Sequence, residues 1–309
     1  MSKPFRYGGQ AVIEGVMIRG QRHMTVAVRR PDGGIALHIE ALGGPLTEGP
    51  RRVPLLRGAL ALWEALYLGT KALIFSANAA LGEEEERISP LAMGLTLGLA
   101  LAAAAAIFFA SPALLTGWLE ARLGSSLGAV LLEGLVRLGL LLGYIYAIGF
   151  LPDIRRVFAY HGAEHKAINA LEAGAPLEAG SVQAYSTAHP RCGTAFLLLV
   201  ALISIIVFAL VGSQALGPRL LSRLMLIPVI AALGYEVLHL GARHPRNRLI
   251  ALLLRPGLLL QSLTTRQPDD GQVEVALRAL KEAMAADADR LARPAPADAP
   301  EAPSAPRLQ

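Results

Sequence analysis

Residues 88–119 read ISPLAMGLTLGLALAAAAAIFFASPALLTGWL, without one charged side chain. A helix of that composition has no face for water, and about 18 or more such residues in a row read as a bilayer crossing. A second uncharged stretch runs from Cys192 to Pro218. The whole chain agrees: of 309 residues, 53% are hydrophobic and 17% charged, and the mean hydropathy is +0.46. A soluble domain carries about 25% charged residues. This excludes a purely soluble globular protein and a disordered chain. A net charge of +5 and a pI near 9.6 read as a topology signal in such a chain, and no nucleic-acid partner is expected.

Working outward, the hydropathy predicts a mainly α-helical, polytopic membrane protein with about four spans: 91–115, 127–151, 194–211 and 224–240. Lys and Arg number 11 before the first span, one in loop 116–126, four in loop 152–193, two in loop 212–223 and ten after residue 240. Heavy and light segments alternate, as the positive-inside rule asks. Both termini and loop 152–193 are therefore expected on the cytoplasmic side of the inner (cytoplasmic) membrane. The N-terminus lacks the basic-then-apolar pattern of a cleavable signal peptide. Cys192 is the one cysteine, so no intramolecular disulfide can form.

Five regions follow. Residues 1–50 form a cytoplasmic β-type unit, in which HMTVAVRR and IALHIEAL are strands joined by PDGG at 31–34, and QAVIEGVMIRG is one further strand. Residues 51–87 hold a helix and an acidic loop, Glu83 to Glu86. Arg57, Glu64 and Lys71 recur every seven residues, drifting only about 20° per step, so the helix is expected at the membrane surface or packed on the bundle. The four-span domain occupies 88–248. In 249–293, LIALLLRPGLLL is broken by Arg255, Pro256 and Gly257 and reads as interfacial. An amphipathic cytoplasmic helix follows, with Val273, Leu277, Leu280 and Met284 at helical spacing. The Pro/Ala-rich tail, 294–309, is expected to be disordered.

The chemistry concentrates in YHGAEHKAINALE, residues 160–172. His161, Glu164 and His165 make an H-x-x-E-H pattern. On a helix, i and i+4 share a face, so two imidazoles can meet one divalent ion, with zinc the natural candidate. Glu164, beside a ligand, is placed to take a proton from an activated water; this is the inverted zinc-peptidase order. The topology returns His189 and Cys192, in HPRCG, and Glu236 and His239, in YEVLH, to the same membrane face. Glu236 or His189 would complete a three-ligand hydrolytic set. His189 and Cys192 would instead complete a closed structural site. The plain alternatives are a salt bridge for Glu236, a small buried thiol for Cys192 and interfacial packing for His239.

Glu133 and Arg137, four residues apart within a span, are expected to neutralise each other. Glu14 reads as a strand-end carboxylate, and His23 and His38 as solvated. Arg191, Arg243, Arg246 and Arg248 are expected to meet lipid headgroups. No phosphate loop, nucleophile elbow or dinucleotide fingerprint is present.

GGQAVIEGVMIRG, LPDIRRVFAYHGAEHKAINALE, HPRCGTAFLLLV and QSLTTRQPDDGQVEVALRAL together resemble the YqhQ-like family of bacterial integral membrane proteins, over roughly residues 5–285. That family is catalogued as a domain of unknown function and often labelled a metal-dependent enzyme. The resemblance implies a membrane location and a metal, and its motif residues here are Glu14, His161, Glu164, His165, His189 and Cys192. The expected function is a metal-dependent enzyme, hydrolytic in type, at the cytoplasmic membrane face, with membrane lipids around it. A small transporter or channel, from Glu133, Arg137 and Glu236, and a non-catalytic scaffold for a soluble partner are the rival readings.

Overall fold

The computed structural model describes residues 5, 7–43, 53–81, 89–123, 126–212, 214–243 and 247–292. The acidic loop and the Pro/Ala tail lie outside the described residues.

The N-terminal unit is a four-stranded antiparallel meander of β1 (Gly8–Val12), β2 (Gly15–Arg19), β3 (His23–Arg29) and β4 (Ile35–Ala41), in the order β1-β2-β3-β4. The 31–34 hairpin forms as expected, with Gly33 at φ 86°. QAVIEGVMIRG is not one strand but two. Val12 pairs with Gly15, so the chain reverses at Ile13 and Glu14. Glu14 takes the positive φ (51°) that a tight turn needs and that non-glycine residues seldom adopt. The adjacent glycine, Gly15, is already the first residue of β2 and does not take the positive φ. Tertiary contacts hold it: Glu14 accepts from Arg156 Nε at 2.6 Å and from Tyr160 Oη at 3.3 Å.

Helices cover both faces of the sheet. α5 (Pro152–Glu172) and α11 (Asp270–Ala292) bury Val16, Ile18 and Ala27 against Ala163, Ala167, Ile168, Val273, Ala276, Leu277 and Leu280. On the other face Met17, Met24, Val26 and Val28 meet Leu68 and Ala72 of α1 (Leu56–Ala80). The seven-residue polar stripe of α1 becomes three ion pairs: Arg57 with Glu236, Glu64 with Arg19 and Lys71 with Glu40. One stripe thus ties the helix to a later helix and to two strands.

Asp287 of α11 fastens the sheet. It accepts the backbone N–H of Gln21 at 2.6 Å and of Arg22 at 2.9 Å, and the Tyr7 hydroxyl at 3.2 Å. His23 Nδ1 lies 3.1 Å from the same carboxylate. His23 is therefore buried and partnered rather than solvated, because its strand end is sealed by a helix 264 residues away.

The remainder is α-helical: α2 (Pro90–Ala105), a π-turn (Ala106–Ala110), α3 (Ser111–Leu123), α4 (Ser126–Ile148), the short α6 (Ala179–Val182), α7 (Gly193–Val211), α8 (Leu216–Met225), α9 (Ile227–Arg243) and α10 (Arg248–Thr264). α7 packs against α4, α9 and α10. Among the described residues, five stretches are long and apolar enough to cross a membrane: 56–80, 91–118, 127–148, 193–211 and 217–241. Four match the expected spans, and the fifth is α1. These helices suggest membrane association, and large apolar side chains such as Leu91, Leu99 and Leu210 stand exposed on them. LIALLLRPGLLL is one continuous helix through Pro256. Gly257 lets it approach Ala195 of α7.

Candidate metal centre

α5 carries the H-x-x-E-H motif. It starts at Pro152, where a missing N–H costs nothing, and it has Asp153 in its first turn. Beyond its C-terminal end, Gly174 takes φ 69°. Helical spacing places the His161 and His165 ring centroids 4.3 Å apart. Gly162 lies between them because a Cβ there would collide with the Arg266 carbonyl. That close approach sets α5 against the end of α10.

The two imidazoles are oriented by backbone carbonyls. His161 Nδ1 lies 2.8 Å from Thr264 O, and His165 Nδ1 lies 2.6 Å from Thr187 O. A carbonyl only accepts, so each Nδ1 carries the proton and each Nε2 keeps its lone pair. This is the orientation metal-binding histidines adopt. The 183–188 segment that supplies Thr187 is itself clamped by α5. Lys166 Nζ donates to Gln183 O at 2.6 Å and Tyr185 O at 2.7 Å, and Asn169 Nδ2 donates to Ser186 O and Ala188 O.

Cys192 is the residue capping α7, where aligned backbone N–H groups favour a negative charge. Its Sγ accepts from Thr194 N at 3.4 Å and lies 3.1 Å from His161 Nε2. Ligand atoms of His161, His165 and Cys192 all fall within 4.8 Å of one another.

His189 sits beside this group, with its ring centroid 5.6 Å from that of His165. Its backbone is held reciprocally by Gln261 of α10: His189 N donates to Gln261 Oε1 at 2.8 Å, and Gln261 Nε2 donates to His189 O at 2.9 Å. The His189 Nε2 is buried and makes no hydrogen bond; Glu172 Oε2, at 3.6 Å, is too far for one. Burial, then the charge of Arg191, push this imidazole down to about 4, so it is neutral at physiological pH.

Glu164 is 4% exposed, with Oε2 3.5 Å from His165 Nε2. Burial raises its carboxyl to about 7, with the Gly9 N–H and the Arg191 charge pulling the other way. β1 thus forms a wall of the site.

The structure brings His161, His165, Cys192, His189 and Glu164 together. It does not bring Glu236. That carboxylate accepts from Arg57 Nε at 2.8 Å and Leu55 N at 3.1 Å, so it joins α1 to α9. The topology reading could not give the azimuth of its helix. His239 stacks on Tyr235. Glu133 and Arg137 pair at 2.6 Å, and Arg223, which sequence reasoning missed, adds a second guanidinium at 2.9 Å. Arg191 pairs with Glu172. The side chains of Arg243, Arg246 and Arg248 lie outside the described residues.

The cluster forms one end of a cavity of about 880 Å³. Gly8, Gly9, Glu164, His161, His165, His189, Arg191 and Cys192 line that end, and Arg137 and Ser204 line it elsewhere.

These features define a helical protein with membrane-crossing potential, whose His/His/Cys cluster is roofed by a small sheet. The model of the family "Protein of unknown function (DUF1385)" matches residues 53–286, and the chain belongs to that family. It is similar to the "Uncharacterized protein YqhQ" of Bacillus subtilis (strain 168), 38% identical over 295 residues, which cover 91% of this chain and 93% of that one. No solved structure matches the chain.

Proposed function

We propose that the protein is a metal-dependent hydrolase working at the cytoplasmic membrane face, with His161, His165 and Cys192 holding a divalent ion. The donor set of two imidazoles and a thiol suits zinc. The observation that carries this reading is the orientation of the imidazoles: Thr264 and Thr187 carbonyls hold both Nδ1 atoms, His161 Nε2 lies 3.1 Å from Cys192 Sγ, and ligand atoms of His161, His165 and Cys192 fall within 4.8 Å of one another. The unpartnered His189 Nε2 supports it further, since a buried polar atom without a partner is costly unless a ligand uses it.

A bound divalent ion supplies Lewis-acid activation of water and of a substrate oxygen. The chain supplies the proton handling. Glu164 accepts a proton as the water oxygen bonds to a carbonyl or phosphoryl centre, and returns it to the leaving group as the old bond breaks.

The test is elemental analysis of detergent-purified protein beside loss of function in the native host. Wild type and Glu164→Gln are expected to carry one equivalent of zinc, and His161→Ala and His165→Ala to carry little. Glu164→Gln is expected to fail in complementing a deletion phenotype, because a general base contributes about 10²–10⁴-fold in rate. Zinc-free wild-type protein, or a fully complementing Glu164→Gln, would overturn the reading.

A further inference from the structure

The cavity continues well past the metal cluster, and its shape and lining carry an inference about what enters it. On α4 the lining residues Arg137, Leu141, Tyr144, Ile145 and Ile148 share one helical face. They span eleven rises of about 1.5 Å, roughly 16 Å. On α7 the run from Thr194 through Leu197, Val200 and Ala201 to Ser204 covers about 15 Å. The cavity is therefore a slot along two antiparallel-facing helix faces.

Its polarity is uneven. Apart from Arg137, its charged and imidazole lining residues are those at the cluster end. An ion or a small polar solute travelling the middle of the slot would find almost nothing to replace its water. At the far end the Arg137 guanidinium is already spoken for: it donates to Phe108 O at 2.9 Å, Ser204 Oγ at 3.2 Å and Glu133 Oε1 at 2.6 Å. It also lies against the Phe109 and Phe208 rings. The partnered guanidinium leaves no open anion site at that end.

We infer that the slot holds the single hydrocarbon chain of a membrane amphiphile, with its headgroup and hydrolysable bond at His161, Cys192 and Arg191. This rests on the hydrolase reading and adds the substrate class, a single-chain acyl lipid. A volume of about 880 Å³ falls near the top of the usual range for ligand sites, roughly 300–1,000 Å³. An extended chain advances about 1.2 Å per bond, so about 16 Å takes about thirteen bonds, a chain of about fourteen carbons.

The probe is a homologous series of single-chain lysophosphatidylglycerols, with six to sixteen carbons, added to protein purified in a short-chain detergent. Bound lipid is counted by native mass spectrometry. Retention is expected to climb with chain length, reach one equivalent near twelve to fourteen carbons and gain nothing beyond. Ala201→Phe on α7 and Leu141→Trp on α4 should each abolish retention of the twelve-carbon lipid while keeping bound zinc. Leu210→Phe, on the exposed face of α7, should leave both unchanged. Retention independent of chain length in wild type would overturn the inference without any variant. So would filled variants that fold, keep zinc and still bind the lipid. Zinc-free wild-type protein that binds the twelve-carbon lipid and loses it on filling would support the slot while overturning the metal reading.

Discussion

Asp287→Ala tests whether one carboxylate holds the sheet over the site. Asp287 accepts two backbone N–H groups, from Gln21 and Arg22, and the Tyr7 hydroxyl, and lies against His23. A buried donor left without its acceptor costs about 1–3 kcal/mol. Gln21 and Arg22 are exposed residues whose amides can recover water on relaxation, so the lower part of the range applies. The sum is about 2–4 kcal/mol. Asp287→Asn keeps one carbonyl acceptor and should lose about half of that. The pair of Glu274, on the same helix, with Arg29 of β3 is the control. Its carboxylate is 61% exposed, so Glu274→Ala should cost under about 1 kcal/mol. Unfolding of purified protein, with hydrogen exchange at the Gln21 and Arg22 amides, measures all three. An Asp287→Ala variant within about 0.5 kcal/mol of wild type, the usual surface value, would refute the fastening.

Two further outcomes are expected. Glu133→Ala should destabilise the chain by about 3–5 kcal/mol, since it leaves the Arg137 and Arg223 guanidiniums, 4% and 0% exposed, without a counter-charge. Replacing all three residues by leucine should recover much of the loss, and unfolding in detergent would show whether it does. In a Cys192→Ser background, cysteines in loops 116–126 and 212–223 should react with an impermeant external thiol reagent in intact cells, whereas one at Ala175 should not; labelling at 175 would reverse the proposed orientation.

The fold was legible where composition alone decides. An uncharged stretch such as 88–119 has one stable arrangement in a bilayer, a helix. The α1 stripe was legible as a stripe but not as three ion pairs, because spacing along one helix is silent about the partners Glu236, Arg19 and Glu40. The β1–β2 turn was missed for a related reason. Its positive φ falls on Glu14 and is held by Arg156 and Tyr160, so no local residue preference announces it. His161 and His165 were legible because helical spacing makes neighbours of i and i+4. Cys192 and His189 were legible through the family resemblance and through topology, which gives the side of the membrane and not the face of a helix. The same argument that correctly returned them to α5 wrongly returned Glu236.

What the sequence hides at the site is its orienting layer, and that layer explains why three parts of the chain must meet there. Thr264 O and Thr187 O fix the imidazoles from 103 and 22 residues away. Every residue has a carbonyl, so no side-chain pattern distinguishes these two. Gln261, fully buried, holds the His189 backbone from 72 residues away. Lys166 and Asn169 look like the solvated half of an amphipathic helix, yet they tie down the segment that carries Thr187. α10 (Arg248–Thr264) therefore belongs to the site although it adds no side chain to the cluster. Gly257 lets it seat on α7, its last turn presents Thr264 and Gln261, and the next residues pack on Gly162. A ligand motif alone would leave two rotating imidazoles on a helix. The carbonyls on either side give them one direction, and that converts H-x-x-E-H from a spacing into a fixed arrangement of donor atoms.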